Sequence, residues 1–235
     1  MSLRPTPDSA PLAAERPDLQ RRQLAAGGAM ALAALGLGLG GPEARAQGGP
    51  VEGRDYVRLP QRQPTSDPAR IEVVEFFWYG CPHCYHFEAP LEAWLKKLPA
   101  DVSFRRAPVA FREVPFVTHQ KLFYALEALG QLDALHGKIF AAMHVQRNPL
   151  ATPDVIFDFV AKNGVDRAKF IEAFNSFGVA GKARQAAALS AGYRIDGTPA
   201  LGVNGQFYTS GSMAGTHERA LAIADWLIGQ SRKRG

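Results

Sequence analysis

The sequence predicts an α/β fold in which a long all-helical block interrupts a frame of strands and helices. Three observations predict it. The run Ile71-Glu72-Val73-Val74-Glu75-Phe76-Phe77 is β-branched and aromatic and apolar on both faces, as in a central strand of a covered sheet. After Gly80 the apolar period becomes helical, with Phe87, Leu91, Trp94, Leu95 and Leu98 at helix spacing. From about Val117 to Ile195 the pattern stays helical throughout, and strand character returns only at Ala200.

Residues 1–46 read as an export signal, not as fold. A basic pair, Arg21 and Arg22, precedes an apolar Leu/Ala/Gly stretch from Leu24 to Leu39, and Ala44-Arg45-Ala46 offers a small-x-small cleavage site. The basic pair fits either an ordinary Sec signal or the twin-arginine route. The apolar stretch is shorter than the about 20 residues of a membrane span and is broken by Gly27, Gly28, Gly36 and Gly38. Cleavage near Ala46 leaves roughly 190 residues, enough to bury a core without disulfide staples. Charges interrupt every later apolar run, so the mature part is expected to be soluble.

Residues 47–69, rich in Gly, Pro, Arg and Gln, read as an exposed N-terminal extension with a short edge strand at Tyr56 to Leu59. The frame falls into two halves, 70–116 and 196–231, separated by a helical insertion at 117–195. In the first half, the strand at residue 71 turns at Gly80 into a helix, with Pro82 in the first turn where its missing N–H costs nothing. A second strand follows at Val102 to Val109. In the insertion, Thr152-Pro153-Asp154 is a cap followed by a first-turn proline. Further helices are expected from Asp166 to Phe177 and from Ala180 to Ala191, with breaks near Gly164 and Gly178. In the second half, Asn204-Gly205 supplies the two positive-φ residues of a tight hairpin between Ala200–Val203 and Gln206–Tyr208. A last helix is expected from Thr216 to Gly229.

The two cysteines, Cys81 and Cys84, are the only ones in 235 residues. Three positions apart, they close almost no loop, so a disulfide between them stabilises little and the pair is better placed for chemistry. Cys81 stands at a helix start, where unpaired N–H groups and the helix dipole favour a thiolate. Cys84, one turn later, can close back onto it and resolve a mixed disulfide. Cys81 is therefore expected to be exposed and acidic, and Cys84 more buried. Pro82 fixes the backbone between them, and His83 brings a donor and, when protonated, a positive charge beside the sulfur. A metal-site reading would use Cys81, Cys84 and His86, but a closed zinc site needs a fourth ligand and usually a distant second pair. No metal or cofactor is expected, and His86 reads as a helix-surface residue.

Glu75 interrupts an apolar strand shortly before the cysteines. A buried carboxylate there needs a basic partner or takes a raised pKa, unless it reaches solvent at the strand end. Buried, it is a candidate to accept the Cys84 proton during exchange. Thr198-Pro199 lies between Gly197 and a strand, a tight-turn position where cis X-Pro bonds occur, although most such bonds are trans. Beside Cys81, the Thr198 backbone would be placed to pair with an extended substrate chain. The net charge of +5 is mild, and no aromatic-plus-basic stripe tracks nucleic acid.

The stretch Glu75-Phe76-Phe77-Trp78-Tyr79-Gly80-Cys81-Pro82-His83-Cys84, the helical insertion, and Gly197-Thr198-Pro199-Ala200 before the hairpin together resemble the DsbA-type periplasmic thiol:disulfide oxidoreductases of Gram-negative bacteria. The resemblance covers residues 55 to 230. It implies a thioredoxin-like fold and a periplasmic, monomeric dithiol oxidase that donates the Cys81–Cys84 disulfide to reduced exported proteins. A DsbB-like membrane quinone reductase would reoxidise it. It implies that Cys81 is the nucleophile, Cys84 the resolving cysteine, Pro199 a cis proline of the substrate groove and Glu75 the family's buried acid. The family pairs that acid with a lysine on the next strand; here Arg105 or Arg106 is the expected substitute. Residue 198 is threonine where the best-known members carry valine. A reductase or isomerase kept reduced by a membrane partner, and a peptide-binding chaperone, are the competing readings.

Overall fold

The computed structural model describes residues 48–233, so the expected signal segment and its cleavage site lie outside the described residues. Five strands form one mixed sheet in the order β1-β5-β4-β2-β3. β2 (Ile71–Phe77) runs parallel to β3 (Val102–Pro108), with α1 (Pro82–Leu95) as the crossover. β4 (Ala200–Val203) pairs antiparallel with β2 on its other side and with β5 (Phe207–Ser210), and β1 (Val57–Arg58) completes the sheet against β5. The β4–β5 turn is made as expected, by Asn204 at φ 52° and Gly205 at φ 67°.

Strand alternation sends successive side chains of β2 to opposite faces. Val73 joins Phe87, Leu91, Leu201 and Leu221 under α1 and α8 (His217–Arg232). Val74 and Phe76 join Ala107, Leu189 and Tyr193 on the other face, under the end of α6 (Phe177–Gly192). Glu75 shares the Val73 face and therefore looks toward α1.

The insertion comprises α2 (Thr118–Ala128), α3 (Leu132–His144), α4 (Pro153–Lys162), α5 (Arg167–Asn175) and α6. A helical turn at Glu113–Val117 leads into it, and a four-residue α7 (Gly211–Ala214) precedes α8. One break differs from expectation: Gly178 lies inside α6. The chain turns instead at Ser176, whose hydroxyl caps α6 by accepting from the Val179 N–H at 3.2 Å. A serine oxygen can satisfy a free helix N–H, which a glycine cannot.

The N-terminal extension is also less exposed than expected. Tyr56 and Leu59 are buried against the sheet, and Asp55 is 3% exposed. Asp55 accepts from the Val51 N–H at 2.8 Å and pairs with Arg219 of α8 at 2.9 Å, while its carbonyl accepts from the Thr209 hydroxyl at 2.7 Å. The missed signal was one residue tying the extension to Thr209 and Arg219, 154 and 164 residues further along the chain.

Candidate active site

α1 begins at Pro82, with Cys81 as its N-cap in extended conformation (φ −87°, ψ 117°). No side chain caps this end, so the first amides are free to face the sulfur. The approach from β2 is fixed by Trp78, which stacks on Phe116 at 4.1 Å and donates from its indole N–H to His119 Nδ1 at 2.9 Å. The ring lies directly over Gly80, where a Cβ would come within 2.4 Å of it, so only glycine lets the chain pass from Trp78 to Cys81.

Both cysteines are free thiols, packed into the aromatic core that the insertion shares with Phe77 and Tyr79. Cys84 is fully buried, as expected. Cys81 keeps only 9% of its surface, less than expected, because the Thr198-Pro199 turn closes over it. Its Sγ donates to the Thr198 carbonyl at 3.3 Å, and the Thr198–Pro199 bond is cis, as is Val114–Pro115.

The two thiols are driven apart electrostatically. A hydrogen bond from the Cys84 thiol is the main force holding Cys81 down to about 5, against an opposing desolvation. The Thr198 side chain and the backbone N–H groups of Cys84 and His83 assist. Burial pushes Cys84 well above its ordinary value, and the neighbouring Cys81 and Glu75 add to the rise. What reaches the sulfur from His83 is its amide; no hydrogen bond joins its exposed imidazole to Cys81 among the described residues. The imidazole instead lines a cleft of about 780 Å³ together with Thr198, Pro199, Met213 and His217.

Glu75 is fully buried. Burial above all, and then the charge of Glu88, raise its carboxyl to about 8 against the pull of Arg106. Arg106 stands opposite it in the β2–β3 register and donates from Nε to Oε2 at 3.1 Å. Arg105, one residue earlier, points to the other face and binds Glu72. Alternation along β3 therefore selects Arg106 from the two candidates.

With the geometry in place, similarity to known proteins decides the family. The family model described as a DSBA-like thioredoxin domain matches residues 72–216. The thiol:disulfide interchange protein DsbA of Burkholderia cepacia is 44% identical over 198 residues, 83% of this chain and 93% of its own length. That of Azotobacter vinelandii is 45% identical over 180 residues, covering 77% and 84% respectively. The crystal structure of Pseudomonas aeruginosa DsbA matches with a TM-score of 0.74 at 42% identity, over 77% of this chain and 94% of that one. The chain belongs to the DsbA family.

As a DsbA-family member it is a thiol:disulfide oxidoreductase with a thioredoxin-like fold. Around the family's cysteine pair, sequence reasoning missed several polar groups. Glu88 and Glu92 both bind Arg106 Nη2, at 3.1 and 2.9 Å. They lie four and eight residues after Cys84, a helical stripe that the spacing alone would have revealed. Tyr79 and His136 meet at 2.8 Å, and His144 Nε2 binds the Tyr79 carbonyl at 2.8 Å. These contacts cross from the frame to the insertion, and no local pattern announces them.

Proposed function

We propose that the chain works as a dithiol oxidase, donating the Cys81–Cys84 disulfide to reduced exported proteins. The observation that carries the reading is the asymmetry of the two thiols. A Cys81 thiolate stabilised down to about 5 is a good leaving group, so the reduced form is favoured and the disulfide is readily given away. In this reading a substrate thiolate attacks Cys81 Sγ and Cys84 leaves; a second substrate thiolate then attacks the substrate sulfur of the mixed disulfide and expels the Cys81 thiolate. Glu75 supplies the proton that the departing Cys84 needs, and takes one back when the disulfide is restored. Pro82 and the His83 amide shape the helix start at Cys81. Thr198 and Pro199 present the turn along which an extended substrate backbone would run. A DsbB-like membrane quinone reductase would restore the disulfide.

The setting follows from the same kinship: a periplasmic, monomeric mature protein released by cleavage near Ala46, with no metal or nucleic acid involved. Residues 70–116 and 196–231 would act as the catalytic frame and 117–195 as the helical lobe above it. Among the described residues no helix is long and apolar enough to cross a membrane. The test is the equilibrium of the cysteine pair against glutathione. A potential well above the glutathione pool is expected; one at or below it would move the assignment to a reductase or isomerase. Retention of activity after both cysteines become serine would point to a chaperone.

A further inference from the structure

Among the described residues, four buried side-chain polar atoms lack a hydrogen-bond partner, and three of them lie in one cluster beneath the cysteines: Glu75 Oε1, Glu88 Oε1 and His136 Nε2. Such atoms are costly to bury, and each calls for a reason. Four parts of the fold build the cluster. β2 brings Glu75, β3 brings Arg106, α1 brings Glu88 and Glu92, and α3 brings His136. His136 sits in an aromatic cage of Phe77, Tyr79, Phe123 and Phe140, with its side chain 9% exposed. His144 anchors the backbone of Tyr79 from about two turns further along α3.

Burial keeps Tyr79 a neutral phenol and lowers the His136 pKa, and with Glu88 Oε2 facing Nε2 the neutral ring is assigned the tautomer that accepts the Tyr79 O–H at Nδ1. The remaining proton of that imidazole then sits on Nε2, 3.4 Å from Glu88 Oε2. Arg106 is shared, its Nε on Glu75 and its Nη2 on Glu88 and the half-exposed Glu92. Three carboxyl groups thus face one permanent cation, and a proton on either Glu75 or His136 reduces the excess negative charge.

We propose that His136 is a positioning residue for the proton step at Cys84. A proton arriving at His136 Nδ1, where the Tyr79 hydroxyl turns from donor to acceptor, binds Glu88 to the imidazolium, releases the Arg106 charge toward Glu75, and drives the Glu75 proton onto the departing Cys84 thiolate. The proposal rests on the reading of Glu75 given above. Arginine stays protonated throughout, so no proton crosses it and the coupling is carried by charge. The substrate thiolate forms an S–S bond to Cys81, and the Cys81–Cys84 bond breaks with its electron pair on Cys84. The Glu75 proton passes to that sulfur, while one solvent proton is held on His136. On reoxidation Glu75 takes the Cys84 proton back and His136 returns one to solvent.

The test is the stopped-flow rate at which the oxidised protein is reduced by a cysteine-containing peptide. Parent and His136→Gln are compared as a ratio at each pH, so that titration of the peptide thiol cancels. Glutamine keeps a donor and an acceptor but cannot be charged. The parent-to-variant ratio is expected to be near one at alkaline pH and to rise about tenfold toward acid, the effect of one pKa unit at Glu75. In a Glu75→Gln background the His136→Gln substitution should change nothing. A ratio independent of pH, or one that persists without Glu75, overturns the proposal. If Glu75→Gln alone reacts at the parental rate, the Glu75 reading falls, and the proposal with it. Should His136→Gln fold poorly, the histidine ¹⁵N shifts of the parent and of Glu75→Gln provide a second measurement. The His136 shifts of the parent should carry an inflection as Glu75 ionises near 8, which Glu75→Gln should lack; identical shift profiles in the two proteins overturn the coupling.

Discussion

Glu75 and Arg106 stand directly opposite one another in the parallel β2–β3 pairing and meet in a 3.1 Å hydrogen bond at the floor of the cysteine site. Replacing Arg106 by methionine keeps most of the side chain's bulk but leaves Glu88 without its cation and Glu75 without its donor. Breaking a buried pair from one side costs about 3–5 kcal/mol. Urea unfolding should register a loss of that size, whereas an exposed pair such as Arg167–Asp158 should contribute under about 1 kcal/mol.

Replacing Glu75 by glutamine should act in the opposite direction. Burial raises this carboxyl from 4.5 to about 8, so between those values the folded state retains a proton that the unfolded chain releases. Its contribution therefore opposes folding increasingly as pH rises through that window. Glu75→Gln removes the penalty, so the variant should be more stable than the parent at neutral pH, and its advantage should vanish toward pH 4. Thermal unfolding at the two pH values checks this; equal melting temperatures would place the carboxylate in a solvated setting.

The Cys81 thiolate makes a third expectation, read from absorbance at 240 nm. The midpoint should lie near 5 in the parent. Cys84→Ala, which removes the largest stabilising contact, should raise it further than Thr198→Val, which removes a lesser one. The lowered value also means that stability from the thiolate is present above the unfolded thiol's value near 9 and is lost as pH falls through about 5. At pH 7 this favours the reduced form by about 3 kcal/mol. Reduced protein should therefore unfold at higher denaturant than oxidised protein at neutral pH, and the gap should narrow toward pH 5.

A fourth expectation concerns the N-terminal extension. Asp55→Ala removes the acceptor shared by the Val51 amide and Arg219, at a cost of about 1–3 kcal/mol. Amide exchange should accelerate first in residues 51–58, ahead of the central strands. Uniform acceleration would show instead that the extension and the sheet open together.

Much of the frame was legible because its signals are local. The β2 run, the switch to helical period after Gly80 and the Asn204-Gly205 turn each occupy a few consecutive residues and fell where expected. So did the cysteine pair at a helix start. Legibility ended where the site depends on contacts between distant segments. Arg105 and Arg106 were indistinguishable until strand alternation assigned them to opposite faces. His136 reaches the cluster only because the insertion folds back over α1. Cys81 was expected to be open because its enclosure comes from Thr198, 117 residues away.

The clamp at Asp55 and the pairing of β1 with β5 have a practical consequence for handling the protein. With β1 in place, the outer side of β5 is occupied. A shortened chain beginning at residue 70 would retain both cysteines and all of β2, yet it would bare the β5 backbone and the apolar ring of Phe207. Exposed strands of this kind recruit other chains. Such a version should therefore self-associate in a concentration-dependent way while its isolated dithiol chemistry stays intact.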